Sequence, residues 1–208
     1  MSALELTLID KFGKNNVSSI QLSDNDYISI LKVNIQTKFS KCIIVTNGLS
    51  NYKMPVPEQY KGQEFNEIYF CLPSYWDIED KNNPKMNWPV EILQKLAKNV
   101  MKNNTWYGRG HTIANGNPPK SISETMKQEY FVMTAPISME DYLRPIAIED
   151  KTIHFLSVIP IFKNELKLKE TKGYKKWIRG YRAKNGTEIL DDFRKPMKSG
   201  LLERFIKK

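Results

Sequence analysis

Cysteine and histidine are scarce in this chain. Its 208 residues include two of each: Cys42, Cys71, His111 and His154. Their spacing fits no zinc-ligand pattern, so no metal is expected. Both cysteines sit in strand-like runs, KCIIV and IYFCL, and read as buried free thiols. Long apolar runs are scarce too. The longest that is nearly uncharged, Ile153 to Phe162, is too short for a membrane helix and is broken by Pro160. The first ten residues hold Glu5 and Asp10 and no basic stretch ahead of an apolar run. That argues against a secretory leader and for a cytoplasmic protein. No repeat or low-complexity segment is present, and the length suits one domain.

What is abundant is positive charge, and it is unevenly placed. Residues 1–162 carry 17 Lys/Arg and 17 Asp/Glu, whereas residues 163–208 carry 15 against 6, so the whole surplus of +9 lies in the final segment. Such asymmetry points to an acidic partner: nucleic acid, an anionic surface or an acidic protein. The bland alternative is a solvated helix face. Lys175, Lys176, Arg179, Arg182 and Lys184 could track phosphates. Yet Tyr174, Trp177, Ile178 and Tyr181 recur at helical core spacing, which places these aromatics in a buried stripe rather than under stacked bases.

Patterning predicts the elements. Ala3–Phe12 reads as an amphipathic helix stopped by Gly13. Strands are expected at Tyr27–Phe39, Cys42–Thr46, Phe65–Leu72, Glu129–Thr134 and Ile153–Phe162. Asn51–Gln63 and Asp77–Asn87 read as loops, and a helix is expected from Pro89 to Asn103 with Pro89 in its first turn. A basic helix over Asn164–Arg182 is weakened or split by Gly173. A turn at Lys184–Gly186, a short strand at Ile189–Phe193 and a short helix or frayed tail at Leu201–Lys208 complete the chain. Strands and helices mix without βαβ alternation, so the expected class is α+β: one domain with a central mixed or antiparallel sheet flanked by helices.

The stretch WYGRGHTIANGNPP, Trp106 to Pro119, concentrates glycine, arginine and histidine. A dinucleotide fingerprint would need its third glycine earlier and a strand before it; a P-loop would need a lysine followed by Ser or Thr. Neither is met. His111 has no GxSxG nucleophile or HExxH partner in the sequence. Glu140-Asp141 and Asp191-Asp192 are adjacent pairs, whose side chains diverge on a regular element. His111 therefore reads as a half-buried loop residue and His154 as a strand residue facing a neighbour. Neither catalysis nor a cofactor is expected.

In order along the chain stand LIDKFG, IVTNGLS, EIYFCLP with Tyr75-Trp76, Trp88-Pro89 with Leu96-Ala97, TWYGRGHTI with NGNPP, and His154-Phe155-Leu156 followed by Pro160, Glu165 and Gly173. This set resembles the suppressor-of-fused-like family across residues 5–195, in its bacterial single-domain branch. The resemblance implies a non-enzymatic α+β domain. Animal members hold a transcription factor by taking an extended segment as an added strand, and many bacterial members are inferred to be immunity proteins that neutralise a toxin, often a nuclease. The acidic residue that precedes the loop histidine in animal members is Gly110 here, after Arg109, so the animal grip is not expected at this point.

The leading expectation is a non-catalytic immunity protein bound to a cognate toxin. The alternatives are a regulator that sequesters a transcription factor or peptide, and a basic nucleic-acid-binding module using residues 163–208. The candidate partner-binding residues are Trp106, Arg109, His111, Lys175, Lys176, Arg179 and Arg182. The domain is expected over residues 1–195, with a basic tail at 196–208.

Overall fold

Two-residue alternation builds the centre of the molecule. In the computed structural model, residues 1–20, 27–36, 40–80 and 83–197 are described. Strands β2 (Ser29–Ile35) and β3 (Lys41–Asn47) bury both faces. Ile30 and Ile44 point to one side, and Leu31, Val33, Ile43 and Val45 to the other. β4 (Phe65–Leu72) does the same, with Ile68, Phe70 and Leu72 opposite Tyr69 and Cys71. A strand buried on both faces must lie inside a sheet that is covered on both sides.

The other strands are β1 (Val17–Ile20), β5 (Thr112–Ala114), β6 (Tyr130–Thr134), β7 (Ile146–Ile148) and β8 (Lys151–Ile161). The sheet runs β1-β2-β3-β4-β8-β6-β5, and β7 pairs the start of β8 on the side that β6 takes further along. Neighbours are antiparallel except β4 and β8, where Phe65 to Tyr69 run parallel to Ile153 to Ser157. That pair makes the sheet mixed.

Helix α1 (Ala3–Phe12) and helix α2 (Pro84–Lys102) cover opposite faces. The Ser2 side chain accepts the Glu5 N–H and starts α1, while the Gly13 N–H closes it on the Ile9 carbonyl. Leu4 and Leu8 pack on Leu31 and Val33. Leu93, Leu96 and Val100 of α2 pack on Ile44, Ile68 and Phe70. Helices α3 (Lys163–Lys172) and α4 (Tyr174–Ala183) follow β8 and meet at Gly173, whose φ is +81°. Trp177 and Tyr181 of α4 are buried against Val132, Ile159 and Ile161.

Several expectations need correction. α2 starts at Pro84, not Pro89, because the Asn83 side chain accepts the Lys85 N–H at 3.2 Å. Pro84 then fills the first turn, where a missing N–H costs nothing, and Pro89 lies inside the helix. The strand expected over Tyr27–Phe39 runs from Ser29 to Ile35; residues 37–39 lie outside the described residues. β1, β5 and β7 were not expected, being only three or four residues long. Ile189–Phe193 forms one parallel bridge, Ile189 to Cys71, rather than a strand. The expected tail element at Leu201–Lys208 lies outside the described residues.

Three buried glutamates hold the connections. Glu67 of β4 accepts the N–H groups of Gly48 and Ser50 at 3.1 and 2.9 Å and the Thr46 hydroxyl. Glu188 accepts the N–H groups of Ile137, Ser138 and Met139 at 2.9, 2.8 and 2.9 Å, plus the Tyr69 hydroxyl at 3.2 Å. Glu165 takes a two-point grip from Arg194 at 2.6 and 2.8 Å and the N–H groups of Phe162 and Met197. A buried carboxylate survives only with such donors around it.

Candidate partner-binding face

The glycine-rich stretch is part of the sheet. The Gly110 N–H reaches the Met133 carbonyl at 2.7 Å, and the Met133 N–H reaches the His111 carbonyl at 2.9 Å. The chain then enters β5, which pairs with β6 from Thr112↔Val132 to Ala114↔Tyr130. Asn115 is buried; its side chain donates to the Lys120 and Ser121 carbonyls at 3.0 and 3.1 Å, which closes the turn that follows. β5 is the last strand in the sheet order. Alternation therefore leaves the N–H and C=O of Thr112 and Ala114 facing away from β6. A groove of about 370 Å³ lies between α2 and this strand, with Ile92, Leu96, Ile113 and Phe131 as its apolar part and Lys95, Asn99, Asn115 and Asn117 as its polar part.

Trp106 covers the start of the stretch. Its ring stands 4.1 Å from that of His111 and 4.9 Å from that of Tyr60. The His111 Nδ1 lies 3.2 Å from the Trp106 carbonyl. Burial lowers the His111 pKa; the Trp106 carbonyl opposes this and Lys169 adds to it. The ring is thus neutral at pH 7.

The structure joins this stretch to α4. A Cβ placed on Gly110 would come within 2.8 Å of the Tyr174 ring. Burial pushes the Tyr174 hydroxyl up to about 12, while the charges of Arg109 and Arg182 pull it back. The Arg109–His111 segment and Tyr174, more than sixty residues apart in sequence, are therefore spatial neighbours. Arg109, Lys175, Lys176, Arg179 and Arg182 are all exposed, whereas Trp106 and His111 are half-buried. The sequence reading did not include Lys169, Tyr174 or the free edge of β5 among the site residues. The TIA run between two turn signals was the available hint for that strand.

The remaining chemical candidates are dispersed. His154 Nε2 lies 2.9 Å from the Gly62 carbonyl. Cys42 and Cys71 are free thiols; burial raises the pKa of both, that of Cys42 to about 11. Asp141 pairs with Arg144 at 2.9 Å, and Asp192 accepts the Tyr75 hydroxyl at 2.7 Å. Among the described residues, no three His, Cys, Asp or Glu side chains gather as a metal-ligand set. Nor is any helix there long and apolar enough to cross a membrane.

The family model of the suppressor of fused protein (SUFU) matches residues 24–195. The chain belongs to the suppressor of fused family. Solved structures agree on the fold at low sequence identity. The crystal structure of the Sufu–Fu complex aligns with a TM-score of 0.69 at 16% identity, covering 99% of this chain and 93% of the other. A suppressor of fused homologue from Neisseria gonorrhoeae aligns at 0.65 and 16% identity, covering 92% and 93%. Drosophila Suppressor of Fused aligns at 0.64 and 15% identity over 97% of this chain but 50% of its own. This suppressor of fused domain thus spans half of the Drosophila chain. Among curated proteins, none matches the sequence. The chain is one α+β unit around a mixed sheet, a fold it shares with these structures.

Proposed function

We propose that this suppressor of fused domain is a non-catalytic protein-binding module that acts in the cytoplasm as an immunity protein, neutralising a cognate toxin. The observation that carries the reading is the free edge of β5. Its outward main-chain groups are unpaired among the described residues and lie beside a groove with an apolar floor, and Trp106, Arg109 and His111 stand in the stretch that leads into the strand. Edge strands of this kind bind extended segments through main-chain hydrogen bonds, with neighbouring pockets supplying selectivity. A related fold was solved as the Sufu–Fu complex, which is consistent with protein recognition. It also favours a second reading, a regulator that sequesters a peptide or transcription factor.

Co-expression with the product of the adjacent gene separates the two. Immunity predicts that the neighbour alone arrests growth, that this chain restores it, and that the two co-purify as a tight complex. A harmless neighbour that fails to co-purify would sink the immunity reading. Within a captured complex, Ala114→Pro is expected to weaken binding, since proline removes the outward N–H of the edge strand.

A further inference from the structure

We propose that the exposed cations of α3 and α4, extended by Arg109, form a docking surface for a carboxylate-rich segment of the protein partner. This rests on reading the domain as a protein-binding module and names the chemistry of what it binds. Between Lys163 and Lys184 there are nine Lys/Arg and two Asp/Glu. One of those two, Glu165, is buried and committed to Arg194. Only Glu170 remains at the surface to offset the nine.

These cations are not spent inside the molecule. Among the described residues, Lys172, Lys175, Lys176, Arg179 and Arg182 are exposed and enter no ion pair. A folded chain normally intersperses opposite charges on its surface, because a one-sign face repels itself. Here the repulsion is held in place by Trp177 and Tyr181, which fasten α4 to the sheet from below. An acidic segment laid on the face relieves that repulsion.

Geometry favours a protein over nucleic acid. Two of the three aromatic residues of α4 are turned inward, Trp177 at 0% and Tyr181 at 3% exposed, and the third, Tyr174, is half-buried against Gly110. The face also continues into the stretch beside β5. Gly110 seats against the Tyr174 ring of α4, where a Cβ would come within 2.8 Å, and Tyr174 feels the charges of both Arg109 and Arg182. One extended acidic segment can therefore meet the cations and the edge strand together. Guanidinium groups at Arg109, Arg179 and Arg182 suit two-point pairing with carboxylates.

The test uses the full chain with a short fluorescent Glu/Asp-rich peptide and DNA oligonucleotides of matched charge, single-stranded and duplex, at about 0.15 M salt. The peptide is expected to bind more tightly than either DNA. The variant Lys175→Glu/Lys176→Glu/Arg179→Glu/Arg182→Glu should lose about tenfold or more in peptide affinity. A control of equal charge change elsewhere, Lys14→Glu/Lys53→Glu/Lys102→Glu/Lys127→Glu, should stay within about twofold. Circular dichroism confirms that both variants fold, and the milder Lys175→Gln/Lys176→Gln replaces the first if it does not. Equal loss in the two charge-reversed variants overturns the site. Tighter DNA binding with a steep log-linear salt dependence overturns the protein assignment in favour of nucleic acid. When a partner has been captured by co-expression, the α4 variant is tested against it. Undiminished capture overturns the face while leaving the immunity reading standing; absence of capture by the unmodified chain overturns the immunity reading instead.

Discussion

Charge does opposite work in two regions of this molecule. Under the sheet connections, Glu67, Glu165 and Glu188 are almost wholly buried, and every one is surrounded by donors. On α3 and α4, exposed cations stand without partners among the described residues. Buried charge is costly unless satisfied within the fold, so it becomes an organiser of loops. Exposed charge costs little, because water satisfies it, and it stays available for another molecule. The molecule thus separates the charges that make the fold from those that can recognise a partner.

The sharpest way to break that contrast is to remove a buried carboxylate. Glu188→Ala strands three backbone N–H groups and the Tyr69 hydroxyl. It is expected to cost about 3–5 kcal/mol in urea unfolding; a loss below about 1 kcal/mol would contradict the organising role. Gly110→Ala comes next. Its Cβ meets the Tyr174 ring at 2.8 Å on a backbone with φ +91°, so a loss of about 2–3 kcal/mol is expected. Gly173→Ala is its control, because φ is +81° there but nothing lies within 4 Å. That change should cost only about 1 kcal/mol.

Glu67 sharpens the comparison through pH. Burial raises its pKa above 4.5, against the pull of its hydrogen bonds to Thr46, Ser50 and Gly48. The folded state therefore holds this proton more tightly than the unfolded chain. The associated stability is full below the unfolded value and is lost as pH rises through the higher folded value. Glu67→Gln is expected to remove that decline from a series of urea melts above pH 4.5; an unchanged slope would count against the burial effect. The smallest effect belongs to the surface. Arg179→Gln/Arg182→Gln should change stability by no more than about 0.5 kcal/mol. A larger loss by thermal melting would mean that these cations belong to the fold.

Legibility followed the range of the interactions. α1 and β4 were readable to the residue because their signals are local: Ser2 and Gly13 bound the helix, and Pro73 follows the strand. The split at Gly173 was readable for the same reason. The start of α2 was misplaced because two prolines offered a first turn, and the Asn83 side chain selected the earlier one. β5 was hidden because three residues carry too little alternation to outweigh the glycines around them. The loop candidates Trp106, Arg109 and His111 and the α4 candidates stood apart in sequence; nothing local indicated that Gly110 would seat against Tyr174.

The sequence by itself determined the class of fold, the elements with strong local punctuation and the one-sided distribution of charge. Each of these depends on neighbours along the chain: turn chemistry, periodicity and composition. Only the tertiary structure decided that β4 and β8 run parallel, that Glu67 and Glu188 hold distant loops, that β5 ends the sheet order of the described residues, and that the stretch before it seats against α4. Those outcomes depend on contacts between residues far apart in the chain, where packing and the need to satisfy buried polar groups select one arrangement among many that local preference allows.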